Sequence, residues 1–378
     1  MRASHAAGGL WPSSITLTCI KAQAESPAVR AANPGSAPAA APGNAPAGPA
    51  AGIPPSATDG GRPSDPDGAA LSGLQAALDS WFESNARQLP WRAPDRTPWG
   101  VLVSEVMLQQ TPVVRVLPVW EEWLRRWPGP ADLAREPAGE AVRSWGRLGY
   151  PRRALRLHAA AVAIGASHGG NVPDTYPELL ELPGVGSYTA AAVAAFAFGR
   201  RETVVDTNIR RVHARLLSGS ALPAQALTAA EMRLAAKMLP SDTGASVRWN
   251  ASVMELGALV CTARSPKCGK CPVRSSCAWL AAGEPPPTYT PRGQSWHGTD
   301  RQVRGAVMAV LRVAEAPVAP ELFQRAPADL GFEPLGISIP LAALHRLDPA
   351  PEQLERALAG LLSDGLAELH PGGFRLPA

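Results

Sequence analysis

Two carboxylates and four thiols are the residues of this chain whose types and settings suit chemistry. Glu105 stands in "VLVSEVMLQQT". On a helix, its neighbours three and four positions away are Val101, Leu102, Leu108 and Gln109. Apolar neighbours desolvate a carboxylate and raise its pKa, which suits a proton donor near neutral pH. The plainer alternative is a charge on the wet side of a helix. Asp206 stands in "VVDTNIRR", where the plainer alternative is an N-cap for the helix that follows. Two carboxylates in unlike surroundings are what breaking an N-glycosidic bond requires. One protonates the leaving base, and the other stabilises the oxocarbenium-like sugar.

The chain has five cysteines, and four of them fall in one short stretch: Cys261, Cys268, Cys271 and Cys277, spaced Cys-x6-Cys-x2-Cys-x5-Cys. Four thiolates in one loop can surround a metal centre. Zinc ribbons pair two short knuckles across a longer spacer, whereas only one short pair exists here. A [4Fe–4S] cluster suits a single wrapped loop better. The loop also carries Arg264, Lys267, Lys270 and Arg274, with no acid between Glu255 and Glu284. It reads either as a solvated charged loop or as an edge that contacts phosphates. Cys19 lies far from the cluster and reads as incidental.

A third feature is "LPGVGSYTA", residues 182–190. Gly184 and Gly186 permit backbone angles closed to other residues. Main-chain N–H groups at the start of the following helix then face outward, where a phosphate can approach. A Gly-x-Gly turn between helices is more often only a turn. Between Ala141 and Pro173 lie arginines 143, 147, 152, 153 and 156 and no acid, either a solvated face or a phosphate-binding one.

The elements that position these residues are helices. Apolar periodicity predicts helices over 71–86, over Val101–Trp127 with interruptions near Pro112 and Pro118, and over 138–145, 152–167, 187–198, 207–217, 228–238 and 247–260. No run of alternating strand pattern precedes residue 300. The core, 69–283, is therefore expected to be all-α. Residues 1–68 hold eleven of the forty prolines among Ala, Gly and Ser, and read as a disordered arm. Residues 284–300 form a linker. The tail, 301–378, reads as helices over 301–313, 318–325 and 351–363, then a hairpin around "HPGG", which suggests a small winged-helix-like α+β unit. The net charge of +4 is mild, so any affinity for nucleic acid must rest on local clusters. No apolar run suits a signal peptide or a membrane span, so the expectation is an intracellular, cytoplasmic protein.

Taken together, these residues carry a family. "LPW" at 89–91, "SEVMLQQTPV" at 104–113, "LPGVGSYTA", "VDTNIRR" at 205–211 and the four-cysteine loop occur in family order over about 71–280. The chain resembles the helix–hairpin–helix DNA glycosylases related to endonuclease III, and within them the MutY-type adenine glycosylases. The resemblance implies a fold of two helical lobes with an iron–sulfur loop and the active site between the lobes. It implies excision of adenine opposite 8-oxoguanine or guanine in double-stranded DNA, by a monomer that meets the nucleoid through its DNA. Glu105 matches the family's acid and Asp206 its oxocarbenium-stabilising aspartate. Gln109 and Gln110 match residues at the mispair, Asn208 a position that supports the pocket, and Arg92, Tyr150, Gly184 and Gly186 further DNA-contacting positions. The four cysteines match the [4Fe–4S] ligands.

Tyr188 occupies the position where bifunctional relatives place a Schiff-base lysine. A phenol forms no imine, so the resemblance points to base removal without strand cutting. Two features depart from the family. Tyr150 is followed by Pro151 rather than by a second tyrosine, and the family's Nudix-like C-terminal domain is not recognisable in 301–378. In its place, the wing of the tail is a candidate for additional DNA contacts. Two other readings remain at this stage: a pyrimidine-lesion glycosylase of the endonuclease III type, and a non-catalytic iron–sulfur DNA-binding protein.

Overall fold

The computed structural model describes residues 68–290, 293, 295–325 and 336–378. All lie in the compact unit that begins at Pro66. The expected disordered arm falls outside the described residues, except that Gly68 already belongs to the first helix. In chain order the helices are α1 (Gly68–Asn85), α2 (Pro98–Leu108), α3 (Val113–Arg126), α4 (Pro130–Ala134), α5 (Ala138–Trp145) and α6 (Arg152–Ser167). They continue with α7 (Tyr176–Glu181), α8 (Ser187–Phe198), α9 (Thr207–Leu216), α10 (Ala229–Met238), α11 (Thr243–Leu259) and α12 (Ala278–Ala281). The tail adds α13 (Asp300–Val313), α14 (Pro320–Gln324), α15 (Ser338–His345) and α16 (Pro351–Ser363), then an antiparallel hairpin of β1 (Glu368–His370) and β2 (Gly373–Arg375).

Local chemistry sets most of the helix starts. Thr97 caps α2 by accepting the Gly100 N–H, with Pro98 in the first turn. Asp242 does the same for α11 through the Ala245 N–H. Thr228 and Glu231 form a reciprocal capping box on α10. Pro118 does not interrupt α3 as the sequence suggested. It removes one hydrogen bond to Val114, but that residue is 79% exposed, so water can take the freed carbonyl.

Two lobes pack side by side. In one, α2 runs through the middle with nine of its eleven residues buried, against the small side chains Ala190–Ala195 of α8. Trp123, Trp127 and Trp145 fill its far side in edge-to-face pairs 4.9 and 5.5 Å apart. The other lobe joins α1, α9 and α11 around Leu78, Val212, Trp249 and Val253, with the cysteine loop packed on its edge. The two-stranded sheet is the only one among the described residues, so the all-α expectation for the core and the helix-plus-hairpin expectation for the tail both hold.

The tail docks on α5. Gly139 N–H donates to Pro377 O at 2.8 Å, and a Cβ on Gly139 would sit 2.4 Å from that oxygen. Arg312 Nε donates to Val142 O, and Arg143 returns a bond to Arg312 O. Val318 bridges to Phe374, which ties the hairpin to the start of α14.

Candidate active site

A cleft of about 970 Å3 opens between the two lobes. Three helix ends meet there: the carboxyl half of α2, the first turn of α8 and the first turn of α9. They bring Glu105, Tyr188, Asp206 and Asn208 to one wall, with Arg92, Gln109 and Gln110 nearby on the lining.

Glu105 is 6% exposed. Burial pushes its pKa up to about 7, against the pull of the Tyr188 hydroxyl and with a further push from the Asp206 charge; Arg92 pulls back. The apolar setting read from the sequence is thus what the fold builds, and the wet-side alternative falls. Tyr188 donates its O–H to Glu105 Oε2 at 2.8 Å. Burial, then the Glu105 and Asp206 charges, hold the phenol well above its ordinary pKa, so it stays a donor.

Asp206 lines the same cleft in a different setting. Its Oδ1 accepts the Ile209 N–H at 2.6 Å, and its Oδ2 accepts the Asn208 amide at 2.7 Å. The N-cap alternative is therefore real, and it coexists with a place on the cleft wall. Burial raises the Asp206 pKa, while the Ile209 N–H, the Asn208 amide and Arg211 pull it back. Asn208 in turn accepts from Arg211, which also donates to Gly257 O and Cys261 O.

The glycine hairpin needs one correction. Gly184 has φ +78, and a Cβ there would lie 2.5 Å from Arg156 Cβ, so both conformation and the close approach of α6 require glycine. Gly186 has φ −98, which any residue adopts, and a Cβ there would meet nothing within 4 Å. Its backbone angle is not a reason for glycine; what it leaves is open space before the first N–H groups of α8.

The arginine run is also not one solvated stripe. Arg153 is buried, Arg143 pairs with Glu140, and Arg152 pairs with Asp364 of the tail. Arg147 and Arg156 are exposed, and the stem of Arg156 packs against Gly184. Tyr150, half exposed, lies on the loop before α6 rather than on the cleft wall. In the tail, seven arginines and no lysines face nine acids over 301–378, and Arg375 on the wing pairs with Glu368.

The four thiols share one loop and none is paired as a disulfide. Burial pushes the Cys271 thiol up to about 11, with Cys261, Cys277 and Cys268 adding to it. Burial raises the Cys268 thiol too, with Cys261 and Cys277 adding to it. Among the described residues, no three Cys, His, Asp or Glu side chains stand close enough to hold a single ion. The donors the loop brings together are four free thiols, with no imidazole or carboxylate among them, and four thiolates are the ligand set of an iron–sulfur cubane. Buried Arg215 pins the loop, donating to Thr262 O at 2.7 Å, Ala263 O at 3.1 Å and Cys261 Sγ at 3.4 Å.

Sequence reasoning missed the ion cluster behind Glu105. Glu255 is fully buried on α11 and takes three bonds from Arg87 and one from Arg92 at 3.0 Å. This holds the Arg92 guanidinium beside the cleft, where it acts on the Glu105 charge. The signal available was a lone acid in the apolar stretch "VMELGALV". Arg153 was also missed as an individual.

The fold and the cleft together define a helix–hairpin–helix DNA glycosylase with an iron–sulfur loop. Residues 103–237 match the HhH-GPD superfamily of base excision DNA repair proteins, and residues 261–277 match the iron-sulfur binding domain of endonuclease III. The adenine DNA glycosylase of Mycobacterium tuberculosis is 46% identical over 300 residues, covering 79% of this chain and 91% of that protein. The adenine DNA glycosylase of Mycolicibacterium smegmatis is 47% identical over 289 residues, covering 76% and 90%. The solved structure of a thermostable thymine-DNA glycosylase superimposes with a TM-score of 0.51 at 28% identity, over 56% of this chain and 97% of that one. The chain belongs to the adenine DNA glycosylase family: an enzyme that removes adenine from DNA in base excision repair, with a [4Fe–4S] cluster as its cofactor. The pyrimidine-lesion and non-catalytic readings give way to that relationship. Among the described residues, no helix is long and apolar enough to cross a membrane.

Proposed function

We propose that the enzyme excises adenine paired with 8-oxoguanine or guanine in duplex DNA, and leaves an abasic site without cutting the strand. The adenine turns out of the stack into the cleft between the lobes. Glu105, protonated near neutral pH, gives its proton to the base. Because Tyr188 occupies Oε2, the proton is delivered from Oε1. The bond from the sugar carbon to the base breaks, and its electron pair leaves with the protonated adenine. The cationic sugar faces the Asp206 carboxylate, whose orientation is fixed by Ile209 and Asn208. Water adds to the sugar and its surplus proton is released.

The observation that carries this reading is the pairing of unlike carboxylates on one cleft: Glu105 raised to about 7 beside an Asp206 held by two donors. Tyr188 supports the absence of strand cutting, since no amine stands at that position to form an imine. We further assign Cys261, Cys268, Cys271 and Cys277 as the cluster ligands. When bound, the cluster fixes the loop that presents Arg264, Lys267, Lys270 and Arg274 to phosphates. Residues 1–68, 284–300 and 301–378 are assigned as arm, linker and winged-helix-like unit around the 69–283 core.

A labelled duplex tests the reading. Adenine opposite 8-oxoguanine should give cleavage after hot alkali, adenine opposite guanine less or equal cleavage, and adenine opposite thymine none. Strand scission without alkali would overturn the assignment of Tyr188. Iron and acid-labile sulfide should be found together in the purified protein; zinc alone would overturn the ligand assignment.

A further inference from the structure

Four non-glycine residues among those described have φ in the left-handed region: Gln110 at 56, Tyr150 at 48, Glu284 at 59 and Asp348 at 45. A residue with a side chain adopts this conformation only when its surroundings impose it. Gln110 and Tyr150 lie forty residues apart in sequence, on separate loops, and both are exposed. One buried side chain lies between them.

That side chain is Arg153, 6% exposed on the first turn of α6. Its Nη1 donates to Val106 O and Met107 O at 3.0 Å and to Gln109 O at 2.6 Å, the carbonyls that α2 leaves unpaired where it ends. Its Nη2 donates to Thr111 Oγ1 and to Gly149 O, each at 3.0 Å. The bonded groups therefore flank Gln110 on both sides and immediately precede Tyr150. The guanidinium also lies 5.2 Å from the Trp145 ring centre and 5.5 Å from that of Tyr150. Thr111 closes the arrangement, reaching Gln109 O and Leu148 O from the other direction.

A buried guanidinium is costly unless its donors are used; here Nε has no partner, and both Nη groups are used on main-chain oxygens and the Thr111 hydroxyl of two loops at once. A lysine would bring the charge but not the fork. We propose that Arg153 is a positioning residue that holds Gln110 and Tyr150 in their left-handed conformations, so that both side chains meet the mispaired duplex together. Arg153 touches neither DNA nor the reacting atoms; it acts through those two residues. The inference rests on the reading of Gln110 and Tyr150 as the residues that meet the mispair.

The test is a double-mutant cycle on the full-length holoprotein, with an adenine:8-oxoguanine duplex. Duplex affinity and the single-turnover excision rate are both read. The Arg153→Lys protein should keep its helical circular dichroism and cluster absorbance. It should excise more slowly, by about tenfold to 10²-fold, the range a small misplacement can cost. The Gln110→Ala/Tyr150→Ala protein should lose a similar factor. Adding Arg153→Lys to that pair should cost little more. Independent, multiplying losses would overturn the positioning role while leaving the two contacts standing. A Gln110→Ala/Tyr150→Ala protein that binds and excises like the parent would overturn the underlying reading, and the inference with it. Thr111→Val provides the second route should Arg153→Lys fail to fold. It removes one acceptor of the fork, and its loss should likewise vanish in the Gln110→Ala/Tyr150→Ala background; a loss that persists there overturns the inference.

Discussion

The carboxyl half of α2 and the amino end of α9 each present a carboxylate to the same cleft, and they treat it in opposite ways. Glu105 sits mid-helix, where the main-chain N–H groups are already used within the helix, and receives one phenol hydrogen bond. Asp206 sits at a helix start, where free N–H groups are available, and receives a backbone N–H and an amide. Burial raises both pKa values, but only Asp206 has main-chain donors to offset it. In the mechanism we propose, the same functional group serves as an acid in one place and a charge stabiliser in the other, according to its position along a helix.

The largest way to break this contrast is Glu105→Gln, which removes the proton but keeps the shape. Single-turnover excision should fall by about 10²–10⁴-fold. Asp206→Asn comes next. The amide still caps α9, so the fold should hold while excision falls by about 10²–10³-fold. Asp206→Ala should lose the same activity and, in addition, about 1 kcal/mol of stability by urea unfolding.

The third prediction concerns stability rather than rate. The folded pKa of Glu105, about 7, lies above its ordinary 4.5. The protein therefore holds that proton more tightly than the unfolded chain does. This contribution is fully present below about pH 4.5 and is lost as pH rises through 7. Glu105→Gln has no such loss, so its stability relative to the parent should rise from pH 5 to pH 8, by up to about 3 kcal/mol. Thermal unfolding at the two pH values reads this. The smallest effect is expected from Tyr188→Phe. Losing the phenol bond removes a group that lowers the Glu105 pKa, so the falling limb of the pH–rate profile should move to higher pH. The maximal rate should change by less than about tenfold.

Much of this arrangement was legible in the sequence, for local reasons. The helices 138–145, 152–167 and 187–198 follow from apolar spacing and appear with those bounds. Glu105, Asp206 and Tyr188 stand in segments whose residue types announce them, and the fold brings all three together. The short helices α4 and α7 are not legible, because five or six residues show too little periodicity. Helix α11 begins at Thr243, four residues before the apolar periodicity, because Asp242 caps it there. Arg153 and Glu255 escaped for another reason. Their partners are main-chain oxygens and arginines up to 168 residues away, and no spacing rule reaches that far. The mistaken reason for Gly186 has the same root: a Gly-x-Gly pattern does not say which of its glycines turns the chain.

The most direct test of the contrast between the two carboxylates is the pH dependence of single-turnover adenine excision, parent against Glu105→Gln, on one adenine:8-oxoguanine duplex. The parent rate should hold at acid pH and fall as pH rises through about 7, tracking the protonated fraction of Glu105. The variant should show a low rate with no such limb. A Glu105→Gln protein that keeps the parent's rate, or a parent profile that stays level from pH 6 to pH 9, would contradict the assignment of Glu105 as the acid.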